Sequence, residues 1–265
     1  MSFLTLKNVS FSYPNGFEAT QNVSLKFQLG EAVAIIGQNG AGKTTTVKLM
    51  NGLLRPTKGE VLIEGKATSS LTTAQMSKRV GYVFQNPDDQ IFQDTIEKEI
   101  AFGPKSQKLE KAVLNEKVTA AAEICGLKEV LKEHPYNLPY SKRKFITIAA
   151  IIAMDPEVVI LDEPTAGQDR ESTDLLGKII SYLTDQNKAV ITITHDMEFV
   201  VKEFQRVLVF ADKQLRKEGT PKEIFWDEEL LKFSALKQPY ICQVAKSLGI
   251  QNIMTMDELG EKVLV

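Results

Sequence analysis

The segment Gly37-Gln38-Asn39-Gly40-Ala41-Gly42-Lys43-Thr44 constrains this chain more than any other. It completes the pattern G-x-x-x-x-G-K-[ST] and directly follows the apolar run Ala32-Val33-Ala34-Ile35-Ile36. A short continuous apolar run is expected for a strand buried on both faces of a parallel sheet. Thr44 to Leu49 then read as helix. Strand, glycine-rich turn and helix in that order are the context that separates this pattern from a chance turn. The glycines allow the backbone to wrap so that its N–H groups converge on phosphate oxygens. The following helix adds the positive end of its dipole. Lys43 is then placed to neutralise β- and γ-phosphates, and Thr44 to hold Mg²⁺.

A second carboxylate motif fits the same chemistry. Val158-Val159-Ile160-Leu161 is an apolar strand that ends in Asp162 and Glu163. Parallel strands deliver their C-terminal residues to the ligand crevice of an α/β sheet. Asp162 there can hold Mg²⁺, and Glu163 can orient and polarise an attacking water.

The rest of the chain sets the frame. Leu4, Leu6, Val9 and Phe11 roughly alternate with polar residues and predict a half-buried strand. Further strands are expected at Val23 to Phe27, Gly59 to Gly65, Arg79 to Gln85, Ala189 to Thr194 and Val207 to Phe210. Between Asn86 and about Pro156 apolar residues recur at helical spacing, as in Val118, Ala121, Ala122 and Cys125, which predicts a mostly helical insert. Alternating strands and helices predict an α/β fold with a mainly parallel sheet. After Gly219-Thr220-Pro221 a helical extension is expected up to Val265.

Charge and composition exclude several classes. Lys and Arg number 32 against 34 Asp and Glu, so the basic surface that bulk nucleic-acid binding needs is not expected. Cys125 and Cys242 belong to no CxxC motif, which predicts two reduced cysteines in a cytosolic protein. Met1 to Lys7 carries no secretory-leader pattern. The longest nearly apolar run, Phe145 to Met154, is far too short to cross a bilayer, so any membrane association is expected to pass through a partner.

Taken together, residues 3–220 resemble the nucleotide-binding subunits of ABC transporters. That resemblance implies a P-loop NTPase (RecA-like) core with an antiparallel β subdomain, a helical insert and a C-terminal helical extension. It implies an ATPase domain over residues 1–220, with the helical subdomain at about 86–156, and residues 221–265 as a dimerisation or stabilising element. The cofactors implied are ATP and Mg²⁺. Residues Gly37 to Thr44 and Thr45 would bind ATP, with Tyr13 of Phe11-Ser12-Tyr13-Pro14 stacking on adenine. Gln85, in Val83-Phe84-Gln85-Asn86-Pro87, matches the Q-loop glutamine and would share Mg²⁺ with Thr44 and Asp162. Asp169, in Ala166-Gly167-Gln168-Asp169, matches the D-loop that communicates across a dimer. His195, in Ile193-Thr194-His195-Asp196, matches the switch histidine beside the γ-phosphate, so Glu163, His195 and Gln85 form the implied catalytic set.

A narrower resemblance lies in Val83 to Phe92 and in Ala101-Phe102-Gly103-Pro104, which look like the energy-coupling factor subgroup. Those ATPases power uptake of vitamins and metals. The implied partners are a second related ATPase, a membrane-embedded coupling protein and a substrate-binding membrane protein, with this chain peripheral on the cytoplasmic face of the cell membrane. An ATPase of another ABC transporter, and a non-transport regulatory ABC protein, are the alternatives.

One family element is altered. The signature motif Leu-Ser-Gly-Gly-Gln falls here on Leu138-Pro139-Tyr140-Ser141-Lys142, where only the leucine matches. Proline has neither N–H nor hydroxyl to offer a phosphate, and Tyr140 fills space that glycine leaves open. The basic run Lys142-Arg143-Lys144 either attracts phosphate in compensation or forms a solvated helix start.

Overall fold

A computed structural model describes residues 2–263. The expected features at Met1, Leu264 and Val265 lie outside the described residues. The elements, in chain order, are β1 (Leu4–Ser12), β2 (Glu18–Phe27), β3 (Ala32–Gly37), α1 (Lys43–Met50), β4 (Lys58–Ile63), β5 (Lys66–Ala67), α2 (Thr73–Met76), β6 (Val80–Val83), α3 (Ile96–Lys105), α4 (Lys111–Ile124), α5 (Tyr140–Met154), β7 (Val158–Asp162), α6 (Arg170–Asp185), β8 (Ala189–Ile193), α7 (Met197–Glu203), β9 (Arg206–Ala211), β10 (Gln214–Gly219), α8 (Pro221–Phe225), α9 (Glu228–Phe233), α10 (Tyr240–Ser247) and α11 (Met256–Val263). Among the described residues no helix is long and apolar enough to cross a membrane.

The chain divides into two compact units. One takes the segments up to Gln28, Ala32–Ser69 and from Thr192 onward; the other takes Leu29–Glu31 and Ser70–Ile191. The first unit holds a sheet in the order β2-β1-β4-β5, antiparallel throughout. In it β1 supplies buried Leu4, Leu6 and Val9, as the alternation predicts. Strand β2 extends further toward its start than the apolar pattern reaches, because polar Glu18 to Asn22 are held by pairing such as Phe11↔Thr20. In the same unit β3 runs parallel to β9 with Ile35 opposite Leu208, and β10 pairs antiparallel with β9. Val33 to Ile36 and Val207 to Phe210 are fully buried, which is why both read as unbroken apolar runs. Strand β10, Gln-Leu-Arg-Lys-Glu-Gly, has no such run; as a polar edge strand it left no period for the sequence to reveal.

The second unit packs helices around the parallel pair β6 and β7, in which Val80 faces Val158 and Tyr82 faces Ile160. Helix α6 buries Leu176, Ile179, Ile180 and Leu183, spaced for one face of a helix, and Asp169 caps its start by accepting a bond from the Ser172 amide at 2.8 Å. Helix α5 is buried continuously from Lys144 to Ala149 and stops at Asp155, which is left-handed at φ 60°. Beyond β10, a capping box between Thr220 and Glu223 starts α8. A small core of Ala245, Ile253 and Leu259 then gathers Trp226, Ile241 and Ile250, with the Trp226 indole donating to the Ile253 carbonyl at 3.1 Å.

Candidate nucleotide site

In the first unit the turn after β3 is fixed by packing. Gly37 has φ 152°, and a Cβ there would collide with the carbonyl oxygen of Phe210 on the neighbouring strand. Gly42, at φ 94°, would bring a Cβ to 2.6 Å from the Ala19 carbonyl oxygen. The backbone can therefore run here only without side chains. At Gly40 a Cβ would meet nothing within 4 Å, and Gln38, Asn39 and Gly40 are exposed, so this stretch of the loop is open.

Helix α1 begins at Lys43 with Gly42 as its cap, no side-chain cap bond and no acid in the first turn. A helix start of this kind favours a negative charge beside it. The Lys43 side chain is buried and curls back over the loop, donating to the Gly37 carbonyl at 2.6 Å and the Gln38 carbonyl at 3.0 Å. His195, exposed after β8, brings Nε2 to 3.5 Å from the same ammonium. Thr44 is half-buried, while Thr45 is buried and meets the Tyr13 hydroxyl at 3.5 Å. Tyr13 lies edge-on to Phe11 at 4.9 Å and stacked near Phe17 at 6.4 Å. Lys213 sits 4.6 Å over the Phe17 ring. Phe17 and Lys213, which no sequence motif marks, gather beside Tyr13 in the fold.

The second unit holds the carboxylates. Asp162 ends β7 and is 2% exposed; its Oδ2 accepts a 2.6 Å bond from the Tyr82 hydroxyl on β6. Burial pushes the Tyr82 hydroxyl pKa far above its ordinary value, and the neighbouring Asp162 charge adds to that. Tyr82 stays a neutral donor and holds the carboxylate oxygen in place. Tyr82→Phe should leave that buried oxygen without this bond and lower stability by about 2 kcal/mol. Chemical denaturation checks this; an unchanged midpoint would mean the bond contributes nothing. Glu163, buried next in line, is left-handed at φ 47°, an uncommon backbone for a non-glycine residue.

Gln85 is exposed just past β6. The expected strand over Arg79 to Gln85 ends earlier, at Val83, because the Gln90 side chain accepts from the Phe84 amide at 3.0 Å and Asn86 caps the turn at Asp88. In the altered signature segment, Pro139 caps α5 without a side-chain bond and Tyr140 is exposed. Gln168 reaches Ser141, donating to its carbonyl at 3.2 Å, and a Cβ on Gly167 would lie 3.8 Å from the Tyr140 ring. The segments Gly167-Gln168 and Tyr140-Ser141 therefore touch within this unit.

Arg143 and Lys144 of the basic run depart from both expectations. Lys144 is fully buried and donates to the carbonyls of Phe84 and Gln85. Arg143 pairs with Asp88 at 2.8 Å and lies over the rings of Tyr136 and Tyr140 at 5.0 and 5.5 Å. These two cations are engaged by protein rather than offered to phosphate or solvent, because α5 turns that side toward the Gln85 segment.

The donors fit a nucleoside triphosphate with Mg²⁺. Within the first unit the exposed loop, the start of α1 and the Lys43 ammonium offer positive charge to phosphate, and the Thr44 hydroxyl is an oxygen ligand of the kind Mg²⁺ prefers; within the second unit the Asp162 carboxylate is a ligand of the same kind. Comparisons agree. The ABC transporter family model matches residues 20–166. The energy-coupling factor transporter ATP-binding protein EcfA of Methanocaldococcus jannaschii is 38% identical over 251 residues, covering 94% of this chain and 90% of that protein. Its namesake from Methanothermobacter thermautotrophicus is 39% identical, covering 98% and 86%. The solved structure of cbiO1 from Clostridium perfringens, described as part of the ABC transporter complex cbiONQ, superposes with a TM-score of 0.80 at 28% identity, covering 94% of this chain and 100% of that one. With a matched model over more than half its length and relatives similar from end to end, this chain belongs to the ABC transporter family as an ATP-hydrolysing, ATP-binding subunit.

Proposed function

We propose that this chain energises an energy-coupling factor type importer for vitamins or other micronutrients. The observation that carries the transport reading is an exposed aromatic pair close in sequence to the Gln85 turn. Phe92 and Phe102 are 60% and 54% exposed and meet edge-to-face at 4.7 Å. Large apolar rings held together at a surface favour a protein partner. The relatives named as energy-coupling factor ATPases support the subgroup.

In this reading the loop from Gly37 to Thr44, with Thr45, binds the ATP phosphates and Tyr13 stacks on the adenine. Thr44, Gln85 and Asp162 hold Mg²⁺, whose charge would offset that of the phosphate oxygens. Glu163 polarises water, His195 attends the γ-phosphate and Asp169 belongs to the dimer-facing D-loop. Residues 1–220 form the ATPase domain, with the helical subdomain at about 86–156, and residues 221–265 the dimerisation or stabilising element. The working unit is a heterodimer with a second related ATPase, peripheral on the cytoplasmic face and bound to a membrane-embedded coupling protein and a substrate-binding membrane protein.

Cysteines placed singly between Asp89 and Phe102 should cross-link to an integral membrane protein in native membranes. Phe92→Ser with Phe102→Ser should cut the yield of that adduct at least tenfold. Undiminished cross-linking in the double variant would remove the aromatic pair from the interface.

A further inference from the structure

The side chain of Lys144 is fully buried, where an apolar residue of the same length would avoid the loss of hydration that a charge suffers. Its ammonium is spent on two consecutive carbonyls, those of Phe84 and Gln85. In an extended strand, successive carbonyls point to opposite sides. One donor can therefore meet two in a row only where the chain curls. That curl begins as soon as β6 ends at Val83. Arg143, the preceding residue of α5, grips the far end of the same turn through Asp88. Helix α5 thus holds the segment from Phe84 to Asp88 at both ends.

We propose that Lys144 is a positioning residue for hydrolysis: it fixes the curled backbone at Phe84 and Gln85 and so sets the direction in which the Gln85 side chain leaves the sheet. The inference rests on the reading above that Gln85 serves the hydrolytic site. Burial lowers the Lys144 pKa to about 8, while the charges of Asp162 and Glu163 pull it back up. Without that ammonium, the Phe84 and Gln85 carbonyls would lose their shared donor and the turn its template. Gln85 would then sample directions that do not serve the reaction, while the phosphate loop would keep its nucleotide.

The test uses the membrane complex purified through a tag on this chain, with Lys144→Met, Lys144→Arg, Gln85→Ala and the two combinations with Gln85→Ala. Lys144→Met should lower kcat about tenfold or more with the KM for ATP changed less than about threefold. Lys144→Arg, whose fork can also reach two carbonyls, should recover most of the rate. In the Gln85→Ala background either Lys144 substitution should cost little more, since both remove one function. Turnover within twofold of wild type in Lys144→Met, or losses that multiply with Gln85→Ala, would overturn the proposal. Should Lys144→Met fail to fold, the remaining deficit of Lys144→Arg carries the test: its disappearance in Gln85→Ala supports the role, its persistence refutes it. Unchanged turnover in Gln85→Ala alone would overturn the underlying reading and this proposal with it; a loss there with none in Lys144→Met overturns this proposal only.

Discussion

Glu163→Gln is expected to leave ATP bound and unhydrolysed, with turnover in the assembled transporter reduced by roughly 10²–10⁴, the usual contribution of a positioned general base. The substitution keeps side-chain length and the left-handed backbone at φ 47°, so the fold should be undisturbed. Binding should survive because the phosphate loop and its lysine are untouched. Lys43→Ala is the contrasting variant: it removes the ammonium now seated on the Gly37 and Gln38 carbonyls and should abolish binding itself. Single-turnover phosphate release with nucleotide-binding calorimetry separates the two. Undiminished steady-state phosphate release in Glu163→Gln would assign the water to another residue.

The second large effect is an inequality between two ATP sites. In the proposed dimer each nucleotide lies between the phosphate loop of one subunit and the signature motif of the other. A homodimer of this chain would place Leu138-Pro139-Tyr140-Ser141-Lys142 at both sites. Loss of a single donor aimed at transition-state charge lowers rates by roughly 10²–10³ in other enzymes, and several are altered here. Arg143 and Lys144 do not make good the loss, since Arg143 is paired with Asp88 and Lys144 with backbone carbonyls. The chain alone should therefore hydrolyse ATP at least about 10²-fold more slowly than the heterodimer. In the heterodimer, Glu163→Gln should remove more activity than the equivalent change in the partner, whose site would use this chain's altered signature. Equal losses, or a fully active homodimer, would show that the Pro-Tyr-Ser segment performs the signature's task.

Legibility from sequence followed the physics of each element. Strands β3, β7 and β9 were plain because burial on both faces leaves an unbroken apolar run. Strand β10 and the first half of β2 were not, because backbone pairing holds residues with no apolar pattern. The strand, glycine turn and helix around Gly37 to Thr44 were legible because their pattern is contiguous in sequence, whereas the collisions that require glycine at 37 and 42 come from Phe210 and Ala19, far along the chain. The roles of Tyr82 and Lys144 depend instead on strand register and on which side of α5 faces β6. Lys144 reads as one of three surface cations in the sequence and is 0% exposed in the fold. Composition along a helix start gives the amount of charge but not its direction; that is set by the tertiary packing of the whole helix.

The contrast between Gly37 and Gly40 bears on how such a chain would decay. Gly37 is demanded by the Phe210 backbone beside it, not by nucleotide, whereas a side chain on Gly40 would meet no protein atom. A descendant released from selection for ATP binding would thus still be held to glycine at the first position by its own sheet, on pain of unfolding. Drift would enter at the outer glycine first. Within a lineage of such chains, a surviving glycine at the strand end testifies to an intact fold, while the exposed one, held by the strain of its φ of 80° and by no collision, is the freer to change.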